Sequence, residues 1–498
     1  MIFVCLTTTE TIIGLNRNNF EEKIMNRNNF WIHLGIAVIV VTFAAVLGQI
    51  SRWQFSKRST SVEKKSRTEK PLATKRSTKD CAPEVLVKFR SNVSLSEIEK
   101  LAAKNNDRVE DEIESVKNLV SIDDLDNEDA EKVAKQYSKM KDLVEYAEPN
   151  FKIELDPTEE AKPAKTVNRL SEGSNVPNDP LFNEQWALSN TGQNGGKEKA
   201  DLSALKAWLK TQGSSKVVIA VLDTGVDYTH PDLVSNMWFR PDTVPQYTDD
   251  ELGTFNDIRG FDAADNQSDP MDDNGHGTHC AGIIGAEGNN DEGIAGINWK
   301  VQIMPLKFLG RSGSGSVKDA IESINYAIDR KRNGVNVRII SASWGSTQYS
   351  KALEDAIRAA GEAGILFVAA AGNSSTDNDK RPHYPSNYNL PNVISVAALD
   401  RTDSLASFSN FGVKTVHIAA PGREIVSTWL NDDYREASGT SMATPYVSGT
   451  AALILASEPD MSVEKLRERL LKAVDKIDSL NGKIENGGRL NAAKALGE

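Results

Sequence analysis

From about residue 180 onward, short apolar runs bounded by turn residues alternate with stretches of helical periodicity, and this alternation limits the fold more than any other feature of the chain. The runs are "KVVIAVLD", "VQIMPLKF", "VRIISAS", "GILFVAAAGN", "VISVAAL" and "TVHIAAPG"; the helical stretches include "SVKDAIESINYAIDRKR" and "KALEDAIRAAGEAG". Apolar runs without a polar face belong to strands covered on both sides, and strands alternating with helices build a parallel sheet. The fold class is therefore α/β, a mainly parallel sheet flanked by helices over residues 179–498. In such sheets ligands and reacting groups gather beyond the carboxyl ends of the strands.

Polar residues stand in small-residue turns at that edge. Asp223 closes "VIAVLDTGVD", Asn373 closes "FVAAAGNSS", and Ser441 opens the apolar helix of "SGTSMATPYVSGTAALILA". An aspartate after a strand is ordinarily a cap or turn residue, because its side chain satisfies local backbone groups. The set changes that reading. A serine hydroxyl is a poor nucleophile at neutral pH, so it needs an imidazole to take its proton and a carboxylate to orient the imidazole. Asp223, His276 and Ser441 supply these parts. A serine at a helix N-terminus also has backbone N–H groups beside it for a developing oxyanion, and Asn373 can add a side-chain donor. The order Asp, His, Ser is that of subtilisin and not of chymotrypsin or the α/β-hydrolases.

On these residues the chain resembles the subtilisin-like serine proteases (subtilases). "VLDTGVDYTHPDL", "NGHGTHCAG" and "GTSMATPYVSG" stand in the family's order, with "AAAGN" for the oxyanion asparagine, and the likeness covers residues 177–498. The motifs lie nearest to the thermitase and proteinase K branches, where a cysteine stands beside the catalytic histidine, as Cys280 does. The resemblance implies that Asp223 orients His276, that His276 is general base and acid, that Ser441 attacks the scissile carbonyl, and that Asn373 with the Ser441 N–H forms the oxyanion hole. His279 is then structural and Cys280 a small buried neighbour that would sensitise the site to mercurials. It further implies that peptide substrates add as a strand between Gly313, Ser314 and Gly315 on one side and Ser343, Trp344 and Gly345 on the other. The segment "RPHYPSN" belongs to the floor of the first specificity pocket, and His383, at a place often held by a small residue, makes that pocket shallow.

Ahead of this domain, residues 84–155 read as a small α+β unit. An extended "EVLVKF" precedes a helix whose capping box is expected at Ser96 and Glu99, and a second helical stretch spans roughly 127–142. The unit resembles the family's inhibitory propeptide, so the chain is expected to be a zymogen inhibited by its own propeptide. Residues 156–178, rich in Pro, Glu, Lys and Ser, form the processing linker. Residues 51–83 are a basic linker; residues 51–80 alone carry ten Lys/Arg against three Asp/Glu, so the net charge of -12 leaves -19 on the rest. That acidic remainder argues against a nucleic-acid binder. Within 1–50, "WIHLGIAVIVVTFAAVLGQI" (31–50) has no charged residue and reads as a signal peptide or membrane anchor, making the enzyme secreted or extracytoplasmic and a monomer that meets membrane only through this segment. "NRNNF" occurs at 16–20 and 26–30, and Met25 offers a second start. The three cysteines, Cys5, Cys81 and Cys280, are too few and scattered for a disulfide framework or a four-cysteine zinc site; removing the propeptide leaves Cys280 alone.

One or two calcium sites are expected, since carboxylate-rich loops suit a hard cation. "GFDAADNQSDPMDD" offers Asp262, Asp265 and Asp269, although Gln267 stands where the thermitase resemblance implies a carboxylate. A second set, given by the resemblance alone, joins Asp179, Asp232, the Asn290 side chain and carbonyls of Glu287, Glu292 and Ile294. Two other functions compete with a serine endopeptidase: a catalytically silent subtilase-like binding module, which would be expected to lack a triad member, and a zinc hydrolase using His276 and His279, which lacks the glutamate of an HExxH helix.

Overall fold

The computed structural model describes residues 84–157, 161–164, 176–249 and 252–498. The apolar segment 31–50, the basic linker, Cys5, Cys81 and most of the processing linker lie outside the described residues. Among the described residues no helix is long and apolar enough to cross a membrane.

The N-terminal unit runs β1 (Glu84–Phe89), α1 (Leu95–Lys104), β2 (Asp107–Glu112), β3 (Leu119–Asp124), α2 (Ala130–Tyr137) and β4 (Val144–Pro149), an antiparallel sheet in the order β2-β3-β1-β4. Val85, Val87, Phe89, Val120 and Ile122 pack with Ile98 of α1 and Val133 and Tyr137 of α2. The capping box differs from the expected one: Ser94 and Glu97 form it, with the Ser94 N–H and hydroxyl both donating to the Glu97 carboxylate at 2.9 and 2.8 Å. Two S-x-x-E frames overlap here, and Val93 chooses between them. Starting at Ser94 places Val93 just before the cap and Ile98 at the fourth helical position, so both enter the same core as a hydrophobic staple.

Behind the linker, a nine-stranded sheet contains β7 (Gly213–Asp223), β8 (Phe261–Asp262), β9 (Lys300–Lys307), β11 (Val337–Ala342), β12 (Leu366–Ala370), β13 (Val393–Leu399), β14 (Ile418–Pro421), β17 (Val474–Lys476) and β18 (Gly488–Leu490). Short strands β5 (Lys152–Glu154), β6 (Lys162–Pro163), β10 (Ser314–Ser316), β15 (Ile425–Trp429) and β16 (Asp433–Ala437) lie outside it. The order is β8-β9-β7-β11-β12-β13-β14-β18-β17, parallel except for the last pair. Alternate side chains serve opposite layers. Ile219, Val221, Ile339, Val368 and Val396 face α3 (His276–Gly285) and α6 (Thr440–Ser457), whereas Val218, Ala220, Leu222, Ile340 and Phe367 face α4 (Val317–Arg332) and α5 (Lys351–Glu362). The chain leaves β7 toward β8 and β9 but leaves β11 toward β12, so strand order reverses between β7 and β11. That reversal opens a crevice at their carboxyl ends, where Asp223 ends β7 and Ser343 follows β11.

The second face of the N-terminal sheet is also apolar: Leu86 and Leu119, with Ile113 and Val116, join the core around α4 and α5. Polar contacts hold the same face. Glu148 accepts from the Ser350 hydroxyl and the Lys351 and Ala352 N–H groups at 2.5, 2.8 and 3.2 Å, capping α5 from outside its own chain segment. Lys318 at the start of α4 lies 3.3 Å from Glu110 and 3.5 Å from Glu84.

Ile339 sits fully buried in the middle of the sheet, whereas Val413 is 48% exposed. Ile339→Ala should cost about 2–5 kcal/mol and Val413→Ala no more than about 0.5 kcal/mol, read from urea-unfolding midpoints.

Candidate active site

Asp223 is the last residue of β7 and has no exposed surface. Its Oδ1 accepts from the Thr224 N–H at 2.8 Å and lies 2.7 Å from Nδ1 of His276. His276 opens α3, and Asp272, which the sequence reading did not single out, fixes that helix end. Its carboxylate accepts from the N–H groups of Asn274 and Gly275 and from both the N–H and hydroxyl of Thr278. Gly277, next to the histidine, lies so close to the β7 turn that a Cβ would meet the Gly225 carbonyl at 2.1 Å. Lys307 ties the layer below, donating to the Thr224 and Leu309 carbonyls and to Asp273.

Burial works against the charged imidazole, but the charge and hydrogen bond of Asp223 outweigh it, with smaller help from Asp272 and Asp156, and the pKa of His276 stands above the ordinary 6.5. Nε2 of His276 is buried without a hydrogen-bond partner. Ser441 lies in the first turn of α6; its hydroxyl donates to the Ser343 carbonyl at 2.9 Å, and the Ser343 hydroxyl returns a bond to the Ser441 carbonyl at 2.9 Å. A hydroxyl in that rotamer must turn before it can reach an imidazole. Asn373, past the end of β12, has its Oδ1 fixed by the N–H and hydroxyl of Thr440, both at 2.8 Å. Its Nδ2 is thereby aimed away from Thr440 and is buried without a partner. Beside it, the Ser441 N–H falls in the helix turn where no intrahelical carbonyl is available. The arrangement can orient an imidazole, take a proton at Nε2 and offer two donors to an oxyanion.

His279 does not face His276. Its Nε2 lies 3.1 and 3.0 Å from the Ile425 and Arg435 carbonyls, and burial pushes its pKa down to about 3, so it ties α3 to β15 and β16 as a neutral ring. The Cys280 thiol is buried in the core against the Ser441 carbonyl, and burial raises its pKa well above the ordinary value.

The cleft expected between 313–315 and 343–345 is filled by the chain itself. β5 pairs antiparallel with β10, Ile153 opposite Gly315, and Glu154 bridges Gly345 on the other side. The Leu155 N–H donates to the Gly313 carbonyl at 2.9 Å. Trp344 points into the core and donates to the Leu222 carbonyl at 2.9 Å. The sequence reading placed 152–154 at the end of the N-terminal unit and missed its pairing, which no local pattern announces.

The two expected metal sets differ. Asp179, Asp232 and the loop 287–294 come together: Asp179 accepts from the Asn289 N–H, Asp232 from the Ile294 N–H, and the Glu287 N–H donates to the Asp232 carbonyl. Asp179 Oδ1 is buried without a partner, and burial pushes the Asp232 carboxyl up to about 7. Such a site fits a hard cation, which would relieve both, provided Asn290 turns its amide, since here Nδ2 donates to Asp232. Asp262, Asp265 and Asp269 form no cluster of carboxylates within 4.8 Å among the described residues. Asp262 is satisfied by the Gln267 amide and the Asp265 N–H, and Asp269 by the Tyr228 hydroxyl and the Met271 N–H. Burial pushes the Asp262 carboxyl up to about 7 as well, but in this structure its partners are Gln267 and the Asp265 N–H.

Fold and site together define a serine protease built on a parallel sheet. The chain belongs to the subtilase family of serine endopeptidases, whose pattern matches residues 214–494, and the fervidolysin N-terminal prodomain matches residues 69–150. It is 36% identical over 421 residues to the thermophilic serine proteinase of Bacillus sp. (strain AK1), covering 83% of this chain and 87% of that one. Thermitase of Thermoactinomyces vulgaris is 38% identical over 321 residues, 64% of this chain and 99% of thermitase. The crystal structure of fervidolysin from Fervidobacterium pennivorans superimposes with a TM-score of 0.63 at 26% identity, over 84% of this chain and 61% of that longer one.

Because only the neutral imidazole accepts a proton, kcat/KM should fall as pH drops through the His276 pKa, with its acid midpoint above 6.5. Asp223→Asn should lower kcat by about 10⁴-fold, by analogy with the same change in a related triad; pH–rate profiles of both forms check this.

Proposed function

We propose that the chain is the zymogen of an exported serine endopeptidase that cleaves peptide bonds through an acyl-enzyme. Ser441 attacks the scissile carbonyl as His276 takes its proton; Asp223 holds the imidazole and stabilises the imidazolium. The oxyanion lies between Asn373 Nδ2 and the Ser441 N–H, and His276 then hands its proton to the leaving amine. The observation that carries this reading is the Asp223–His276 contact of 2.7 Å, which leaves Nε2 of the held ring without a partner, together with Asn373, whose amide Thr440 fixes so that Nδ2 is left without one.

Residues 84–155 act as the intramolecular inhibitor, cut away within 156–178 to release a peptidase domain of 179–498. Support comes from the tail: Ile153 is 1% exposed, and Lys152–Glu154 occupies the strand position a substrate needs. Export rests on the uncharged apolar run 31–50. Calcium would be held by Asp179, Asp232, the Asn290 side chain and the carbonyls of Glu287, Glu292 and Ile294. When bound it would neutralise the two buried carboxylates and pin the loop after α3 to the start of the domain; it takes no part in the reaction.

Fluorophosphonate should label the processed wild type and not Ser441→Ala; labelling of the alanine variant, or none of wild type, contradicts the mechanism. Asn373→Leu should lower kcat about 10²- to 10³-fold with KM nearly unchanged. A chelator should lower the melting temperature by about 5–10 °C, the effect of an ion present at about 100 times its dissociation constant. Asp232→Asn should abolish that chelator response in the same thermal scans.

A further inference from the structure

We infer that the first specificity pocket of this protease selects an acidic residue, aspartate above all, and that His383 is the residue that reads its carboxylate. The inference rests on the cleft assignment proposed above and extends it to substrate class. The tail fixes the register. Ile153, Glu154 and Leu155 make the strand pairings with Gly315, Ser314, Gly345 and Gly313, so the next residue, Asp156, is the first beyond the paired strand. It stands where a substrate presents the carbonyl to be attacked, and its charge is felt at His276. Its side chain is therefore the one that enters the pocket beside Asn373.

There it meets His383. Nε2 of the histidine lies 3.2 Å from Oδ1 and 3.1 Å from Oδ2 of Asp156, and both side chains are largely withdrawn from water, 6% and 12% exposed. The ring is held in place and does not merely drift near the acid. A Cβ on Gly345 would meet its Cε1 at 2.0 Å and one on Gly372 its Cδ2 at 3.0 Å, so the ring is wedged between the substrate-pairing strand and the turn that carries Asn373. Backbone anchors complete the setting: the His383 N–H donates to Asn387 Oδ1 at 3.2 Å, and the Ser386 hydroxyl donates to the His383 carbonyl at 2.6 Å. That hydroxyl, 3.5 Å from Nδ1, has its proton on the carbonyl and can only accept from the ring. Nδ1 thus faces the Ser386 hydroxyl while Nε2 faces the carboxylate. A bulky ring filling the floor shortens the pocket, and a donor at its end suits a short carboxylate. A buried donor left without its acceptor discriminates strongly against an apolar analogue.

The test uses the processed enzyme and the substrates acetyl-Ile-Glu-Leu-X-p-nitroanilide with X as Asp, Asn, Glu or Phe; the common leaving group keeps the native proline after Asp156 out of the comparison. Wild type should cleave the Asp substrate with kcat/KM about 10- to 100-fold above Asn and Phe, the worth of a charge-assisted hydrogen bond, and above Glu. His383→Gln, which removes the wedged ring and its Nε2 donor, should bring Asp and Asn to within about threefold, and His383→Gly should turn the preference toward Phe. Asn or Phe cleaved by wild type as fast as Asp, or an Asp preference that survives in either variant, overturns the assignment. Fluorophosphonate labelling reports an assembled triad in each form, so an unlabelled wild type refutes the protease mechanism itself, whereas a labelled wild type without the Asp preference refutes only the pocket. Should His383→Gly not fold, wild type and His383→Gln decide.

Discussion

Everything at the site depends on a buried carboxylate, Asp223, held at the end of the strand where sheet order reverses. Burying an isolated ionised carboxylate costs far more than a single contact returns. Here Oδ1 is met by the Thr224 N–H and by His276, which orients the imidazole, while Oδ2 is buried without a partner. Position follows from topology: β7 ends at Asp223, β11 delivers Ser343 and Gly345 alongside, and α6, packed on one face of the sheet, begins next to Ser343 and so brings Ser441 there. Asp272 and Gly277 then let α3 approach closely enough for the 2.7 Å contact. The Asn373 amide, proposed as an oxyanion donor, is held by Thr440 in this structure.

The same cleft geometry underlies the proposal that the N-terminal unit inhibits the enzyme. A cleft that recognises extended backbone recognises any strand of suitable length, including the one that ends the N-terminal unit. That unit adds an apolar face on α4 and α5 and a foreign cap, Glu148, on α5. Its tail therefore arrives tethered, at a high effective concentration that a free peptide must overcome. The proposed reading of His383 belongs to the same logic, since on that proposal the tail residue in contact with it, Asp156, shows what the pocket accepts.

Much of the fold was legible because buried parallel strands leave a dense signal: "VISVAAL" coincides with β13, and α4 begins and ends within a residue of the helical stretch read from the sequence. The short pieces were not. Phe261–Asp262, Lys152–Glu154 and the closing pair β17 and β18 have two or three residues each, too few for a period, and are strands only because a distant partner pairs with them. The α1 cap was misplaced by two residues because two S-x-x-E frames overlap and only the packing of Val93 distinguishes them. At the proposed site, Asp223, His276, Asn373 and Ser441 are singled out by their motifs. Asp272 and Lys307 are not, because each acts through backbone groups that fold together from separate turns. Of the two proposed ion sites, the local acidic run is closed by its own hydrogen bonds, while the set joined from distant segments assembles, so clustering in sequence was a poor guide to clustering in space.

The central claim is that residues 152–155 lie in the cleft as an added strand. Amide hydrogen exchange on the full-length Ser441→Ala chain, which cannot cut itself, tests it directly. The account predicts that the amides of Ile153 and Leu155 are protected together with those of Gly315 and Val317 across the pair, and that these lose protection together when the N-terminal unit is removed. Rapid exchange of the Ile153 and Leu155 amides in the intact chain, at the rate of an unpaired linker, would contradict it.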